Sequence, residues 1–467
     1  MNHTDIDAAI AVTRFGLGAR PGEIAEAARD PRGYLKAQIR RQGADLFRTD
    51  GETTNQRLAE FRDYRRERAM ARDARPAAAD GKPVQDDAVK AARRFIRQNA
   101  AGDVLGRVQL AAETTASFRE RWALFWANHF TVSATKVQTA TLVGPFENEA
   151  IRPHAFGRFA DLLGAAETHP AMLVYLDQVQ SVGPNSRAAQ FQRRRGPRSP
   201  GLNENLAREI LELHTVGVDG GYAQADVTEF ARALTGLSIA GPRDAGVQGV
   251  VFRPQAHEPG ERTVMGARYP EGGKEQAAAV LADLASKPQT ALFICTKLAR
   301  HFVADDPPPA LVARLEKTWL STQGDLARVA ETLVDAPEAW APCPAKFKTP
   351  YEFVISSYRA LGQEPQDLGQ VNAALAGLGQ RPFGAPSPKG WPDEAGPWAA
   401  SDALVKRMQF AQQLGSALGP RVQDPAALAE QTLGARLSPA SAKAISRAES
   451  RPEAVALLLM IPEFQRR

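Results

Sequence analysis

Cysteine is nearly absent: Cys295 and Cys343 are the two in a chain of 467 residues. A scaffold stapled by several disulfides is excluded. No CxxC or CxxCH occurs to build a cysteine-rich zinc site, a dithiol redox pair or a covalent c-type haem. Aromatic residues make up 7% of the chain, which disfavours a stacking platform for single-stranded nucleic acid. Neither sign of charge dominates. Lys and Arg number 58, Asp and Glu 53, and the formal net charge is +5. Spread over this length, that is no footprint for nucleic acid. Long apolar runs are missing too. The stretch Ala454–Ile461 falls well short of the roughly 18 residues of a membrane span. Met1-Asn2-His3-Thr4-Asp5 carries no basic region, and Ala8–Val12 is too short for a signal-peptide core, so the expected compartment is cytoplasmic. There is no GxSxG elbow, no GxxxxGK[ST] loop and no HExxH pair.

What is present is enough apolar residue, 43%, for a real core, arranged mostly at helical spacing. The expected fold is mainly α, a large multi-helix globular fold with one small β-hairpin element. Three segments are read: an N-terminal helical segment over 1–61, a charged and Ala-rich flexible insertion over 62–95, and a main helical domain over 96–467 that integrates with the first. The punctuation Gly183-Pro184-Asn185 to Gly196-Pro197-Arg198-Ser199-Pro200-Gly201 predicts a loop over 181–201. Helices are expected near 203–216 and 224–235, stopped by Gly217 and Gly236. Further helices are expected at 275–286, 288–303, 309–338 with a break near Gln323-Gly324, 350–361 and beyond 401. Val250-Val251-Phe252 and Arg262-Thr263-Val264-Met265, flanking His257-Glu258-Pro259-Gly260, are the best hairpin signal.

Seven histidines occur, several inside polar and aromatic blocks. Trp126-Ala127-Asn128-His129-Phe130 is one, and Thr168-His169-Pro170 another. Asn203-Glu204-Asn205-Leu206-Ala207-Arg208-Glu209 runs on to His214, and His257 lies on the expected turn. A buried polar group without a partner costs about 1–3 kcal/mol, so such a cluster in a helical core calls for a network or a ligand. The functional reading is a cleft between helices, closed by the hairpin and the 181–201 loop. Glu209 and His129 would do acid–base work, and His169, His257 and His214 would act as metal ligands. Asn128, Asn203, Asn205, Arg208 and Arg194 would bind substrate. Imidazole with carboxylate suits a divalent Zn, Fe or Mn ion. On a straight helix Glu209 and His214 stand about 140° apart, so one metal could not take both. The structural explanations are i,i+4 pairs of Arg208 with Glu204 and Glu212, a helix cap at Asn203 and a core imidazole at His214. Five arginines between Arg187 and Arg198, Arg194 among them, could grip an anionic polymer or form a solvated loop.

Together with Arg14-Phe15-Gly16-Leu17-Gly18, Phe125–Phe130 and His169–Leu173, the stretch from Asn203 through Gly220-Gly221-Tyr222 carries a resemblance. So do Ala233-Leu234-Thr235-Gly236, Lys346-Phe347-Lys348-Thr349-Pro350 and Gly390-Trp391-Pro392. The chain resembles the bacterial domain-of-unknown-function family 1800 over nearly its whole length. The resemblance implies a cell-envelope setting and a possible partner in family 1501, whose members look like the alkaline-phosphatase/sulfatase superfamily. With no leader sequence, periplasmic delivery would need co-export with that partner. Ala223 stands where the family usually has Thr, which removes a hydroxyl helix cap. The leading functional expectation is a metal-assisted hydrolase or modifier of an envelope-associated, anionic glycan. The alternatives are a non-catalytic stabiliser of a family-1501 protein and a histidine-ligated haem protein.

Overall fold

Ala, Leu, Arg and Glu, the strong helix formers, dominate the segments between Gly and Pro punctuation, and helices follow wherever they do. The computed structural model describes residues 3–49, 51–73, 87–194, 201–241, 244 and 247–467. The fold is mainly α with small β elements. Helices Lys274–Ser286, Pro288–Phe302, Pro309–Thr322, Leu326–Asp335 and Pro350–Ala360 lie where the periodicity predicts them. The break between the third and fourth falls at Gln323 and Gly324, both with positive φ. Gly217 and Gly236 likewise have positive φ and end their helices.

Three expectations change. Most of the segment read as a flexible insertion is helical. Thr54–Asp73 and Asp87–Glu113 enter it from either side, and 74–86 lie outside the described residues. The 181–201 loop holds a helix, Arg187–Arg193, started by Ser186, whose hydroxyl accepts from the Ala189 N–H. The hairpin strands exist but pair elsewhere. Strand β1 (Leu237–Ile239) pairs with β2 (Val250–Phe252), and β3 (Arg262–Val264) with β4 (Ala267–Tyr269), both antiparallel. Met265 and Gly266, at φ 46° and 80°, form the two-residue turn that closes β3 on β4. A turn with both central φ positive matches the strand twist, so this local pairing wins over one across His257–Gly260.

Apolar side chains gather into two buried cores. The first contains Phe15, Trp122, Trp126, Phe159, Ile210, Leu298 and Trp319. The second contains Phe353, Ile355, Phe410, Val455, Leu458 and Leu459, joined by Leu17 and by Val108, Ala111 and Ala112. No described helix is both long and apolar enough to cross a membrane.

Helix Gln224–Leu234 begins at Ala223, whose backbone is extended as an N-cap requires (φ −112°, ψ 166°). Its N–H donates to Asp226 Oδ2 at 2.8 Å, but it has no hydroxyl to return the bond. Ala223→Thr is therefore expected to stabilise the protein by about 0.5–2 kcal/mol, read as a rise in the urea unfolding midpoint with an unchanged slope.

Candidate active site at the seam between two cores

One helix explains why neighbouring residues in the sequence serve different places. On Ser117–His129, Arg121, Leu124 and Asn128 share a face, and Trp122, Trp126 and His129 share the one turned to the first core. The Arg121 face borders a pocket of about 120 Å³ between the cores. Leu17, Tyr351, Phe383, Trp391 and Pro392 give it apolar walls, Arg107, Arg121, Glu147, Glu352 and Asp393 give it charge, and His301 joins them. The blocks around Leu17, Asn128, Thr349 and Trp391, far apart in sequence, thus converge.

Asn128 holds the Trp391 strand with both amide atoms. Its Oδ1 accepts from the Trp391 N–H at 2.8 Å, and its Nδ2 donates to the Trp391 carbonyl at 3.0 Å. Gly390 lies against Asn128 with φ 82°, and a Cβ there would fall 2.4 Å from the Asn128 carbonyl oxygen.

The centre of charge is a network. Glu352 meets Arg121 through Oε1 and Arg467 Nε at 3.1 Å, while its Oε2 accepts the Thr349 N–H at 2.9 Å. Burial opposes its charge, but Arg121 and Arg467 outweigh that and bring the carboxyl down to about 2. Lys346 reaches Asp305 Oδ1 and the Asp393 carbonyl, each at 2.5 Å. Asp393 Oδ2 lies 3.1 Å from His301 Nδ1. Burial would raise the Asp393 carboxyl, yet His301, Lys346 and Arg467 hold it below its ordinary value. Burial pulls the His301 imidazole down to about 4 despite Asp393. A neutral imidazole facing an ionised carboxylate carries its proton on Nδ1. Nε2, buried and without a hydrogen-bond partner, keeps its lone pair.

A second polar cluster lies inside the first core. His129 Nε2 contacts the His214 carbonyl at 3.2 Å, and Nδ1 accepts from Lys297 Nζ at 2.9 Å. Burial, reinforced by Lys297 and His214, holds this imidazole well below its ordinary pKa. Lys297 lies one turn before His301 on helix Pro288–Phe302, and burial lowers its ammonium to about 8 against the pull of Asp393. His214 Nδ1 stands 2.7 Å from Glu167 Oε1, both side chains fully buried. The approach is too oblique for a hydrogen bond, and no ring nitrogen or carboxylate oxygen of this pair has one. The helix carrying His214 is not straight. Residues Ile210–His214 form a π turn, which stacks residue i on i+5 and brings Glu209 into the field of His214. The angular separation expected of a regular helix is lost there. Burial raises the half-buried Glu209 carboxyl, and His214 opposes it.

The remaining candidates lie apart from both clusters. His169 caps helix Pro170–Tyr175, accepting the Ala171 N–H on Nδ1, and turns Nε2 to Thr54 at 3.1 Å and Glu149 at 3.4 Å. His257 donates Nδ1–H to the Thr235 carbonyl at 2.8 Å. Glu258, beside it, ties down the 181–201 segment by accepting from Asn185 N and Nδ2. Asn203 Nδ2 donates to the Asp177 carbonyl at 3.1 Å, and its Oδ1 accepts from the N–H of the exposed Asn205. Arg208 makes both i,i+4 pairs, with Glu204 at 3.1 Å and Glu212 at 3.4 Å. Arg194 is exposed at the end of its helix, and Arg195 and Arg198 lie outside the described residues. Among the described residues, no three His, Cys, Asp or Glu side chains gather as a metal-binding group, so Zn, Fe or Mn finds no ready ligand set there.

The family described as "Protein of unknown function (DUF1800)" matches residues 10–466. The chain belongs to the DUF1800 family. Comparison with curated proteins and with solved structures returns no match. The family motifs therefore gain physical content from the geometry alone. Gly390-Trp391-Pro392 forms one wall of the pocket and delivers Asp393, while Lys346–Pro350 delivers Lys346 and the cap that orients Glu352.

Sequence reasoning passed over His301, Asp393, Glu352, Arg121 and Lys297. A signal existed for two of them: Lys297 and His301, four apart, interrupt a helix whose other positions bury Ile294, Cys295, Leu298 and Phe302.

Two outcomes follow. Between pH 6.5, the ordinary value, and about 4 the unfolded chain binds a proton at His301 that the folded chain refuses. Stability should fall as pH drops through this window, by at most about 1.4 kcal/mol per pH unit from this residue. His301→Gln should flatten that slope in urea melts at pH 4–7. Gly390→Ala should strain the strand at Asn128 and lower the melting temperature by several degrees, with a change in tryptophan emission.

Proposed function

We propose that the seam pocket is the active site of an acid–base enzyme that hydrolyses or otherwise modifies one sugar unit of an envelope-associated glycan. His301 carries the reading: a carboxylate orients one ring nitrogen, the other is buried without a hydrogen-bond partner, and the residue belongs to the pocket lining. In a hydrolysis, Nε2 takes a proton from a water as its oxygen bonds to the substrate. Asp393 stabilises the imidazolium that forms, and the proton then passes to the leaving oxygen. Tyr351 and Trp391 in the lining, beside charged side chains, suit the apolar and hydroxylated sides of a sugar ring. The envelope setting rests on what the family resemblance implies. Glu209, half-buried, raised in pKa by burial and one residue before the π turn that carries His214, is the acid–base candidate of the inner cluster.

The test is turnover of a panel of bacterial envelope polysaccharides by the whole chain, with products resolved by chromatography. His301→Gln and Asp393→Asn should each lower the rate by roughly 100-fold or more, with circular dichroism unchanged. Full activity in both variants together with loss in Glu209→Gln would move the chemistry to the inner cluster.

A second reading, a non-catalytic partner of a family-1501 protein, draws support from Leu404, Val405 and Met408. These are exposed on one side of helix Ser401–Leu418. Co-purification that Met408→Lys abolishes is its expected result.

A further inference from the structure

Arg107 lies in the last turns of helix Asp87–Glu113 and lines the pocket. Its Nε donates to Glu147 Oε2 at 2.9 Å. The guanidinium carbon lies 4.9 Å from the ring centre of Tyr351 and 5.5 Å from that of Phe383. A carboxylate at one edge and two rings against the plane fix the group in orientation. Its two terminal nitrogens bond to no described residue. The guanidinium of Arg121, buried where that of Arg107 is partly exposed, is differently used: it gives NH1 to the Gly16 carbonyl at 2.9 Å and NH2 to Glu352.

The carboxylates that share the lining do not stand in the way of an anion. Glu147 is shared by Arg107 and Arg152, Glu352 by Arg121 and Arg467, and Asp393 by Lys346 and Arg467. Their charge is balanced with Arg107 counted among the cations, and what Arg107 still offers a ligand is its pair of terminal nitrogens.

We propose that Arg107 is the grip for an oxyanion on the substrate, so that the unit bound in the pocket is an acidic sugar bearing a carboxylate or a sulfate. The inference rests on the pocket's being the substrate site, as read above. A planar guanidinium meets such a group through two parallel N–H···O bonds, which a neutral hydroxyl cannot match. The anion fixes the ring in the pocket, where His301 borders the same space.

The experiment is calorimetric titration of the whole chain with glucuronate, glucose 6-sulfate and glucose. At least one anionic sugar should bind, and glucose should bind at least roughly tenfold more weakly. Whichever oxyanion binds more tightly identifies the carboxylate or the sulfate as the natural group. Arg107→Lys keeps the charge without the fork and should weaken binding by about tenfold. Because Arg107→Gln alone strands Glu147, the double variant Arg107→Gln/Glu147→Gln keeps a neutral pair in its place and should lose binding with its melting temperature largely retained. Binding of glucose as tight as either acid, no binding of either acid, or wild-type affinity in the double variant would overturn the proposal. His301→Gln should bind the acidic sugar within about twofold of the wild type, because it leaves the fork untouched. Binding can thus fail while the acid–base reading stands, and turnover can fail while binding stands.

Discussion

The bond on which the site depends is the one Glu352 makes with Arg121. Glu352 starts its own helix by accepting the Thr349 N–H, and the same carboxylate reaches Arg121 on a helix of the first core. Arg467 closes on it from a third direction and passes on to the His301 carbonyl. Three charged side chains with little water around them would be a liability if any were missing, since breaking one buried pair strands the others. Complete, the network fixes where the second core stands against the first. The pocket is the space left beside it.

That arrangement gives the two polar clusters different characters. At the seam, every carboxylate is matched by cations, and the groups with unused bonding capacity include His301 Nε2 and the terminal nitrogens of Arg107. In the first core, His214 and Glu167 lie close without a formed hydrogen bond, and His129 spans from the His214 carbonyl to Lys297. Lys297 and His301, one turn apart, put the two clusters on neighbouring turns of a single helix. Charge placed at either is felt at the other, as the influence of Asp393 on Lys297 records.

Three π turns, Ala11–Phe15, Glu147–Ile151 and Ile210–His214, punctuate the helices of the first core. Such turns are rare and shift the phase of every residue after them. In the first, Arg14 reaches the carbonyls of Ala339 and Cys343. In the second, Glu147 meets Arg107. In the third, His214 stands against Glu167. Periodic arithmetic assumes 3.6 residues per turn, so it misplaces the polar residues that a π turn carries.

Read alone, the residues determined the helical class, the helix limits set by Gly217, Gly236 and Gln323-Gly324, and the Arg208 ion pairs. These are local properties, decided by spacing, propensity and the φ each residue tolerates. Folding in three dimensions decided where each histidine stands. His129, His169 and His257 stood out because of their neighbours in sequence, yet each is engaged with nearby backbone. His301, in an ordinary helix, lines the pocket at the seam. Its partner Asp393 lies 92 residues away in an irregular stretch, and only the packing of one core against the other brings them within hydrogen-bonding distance.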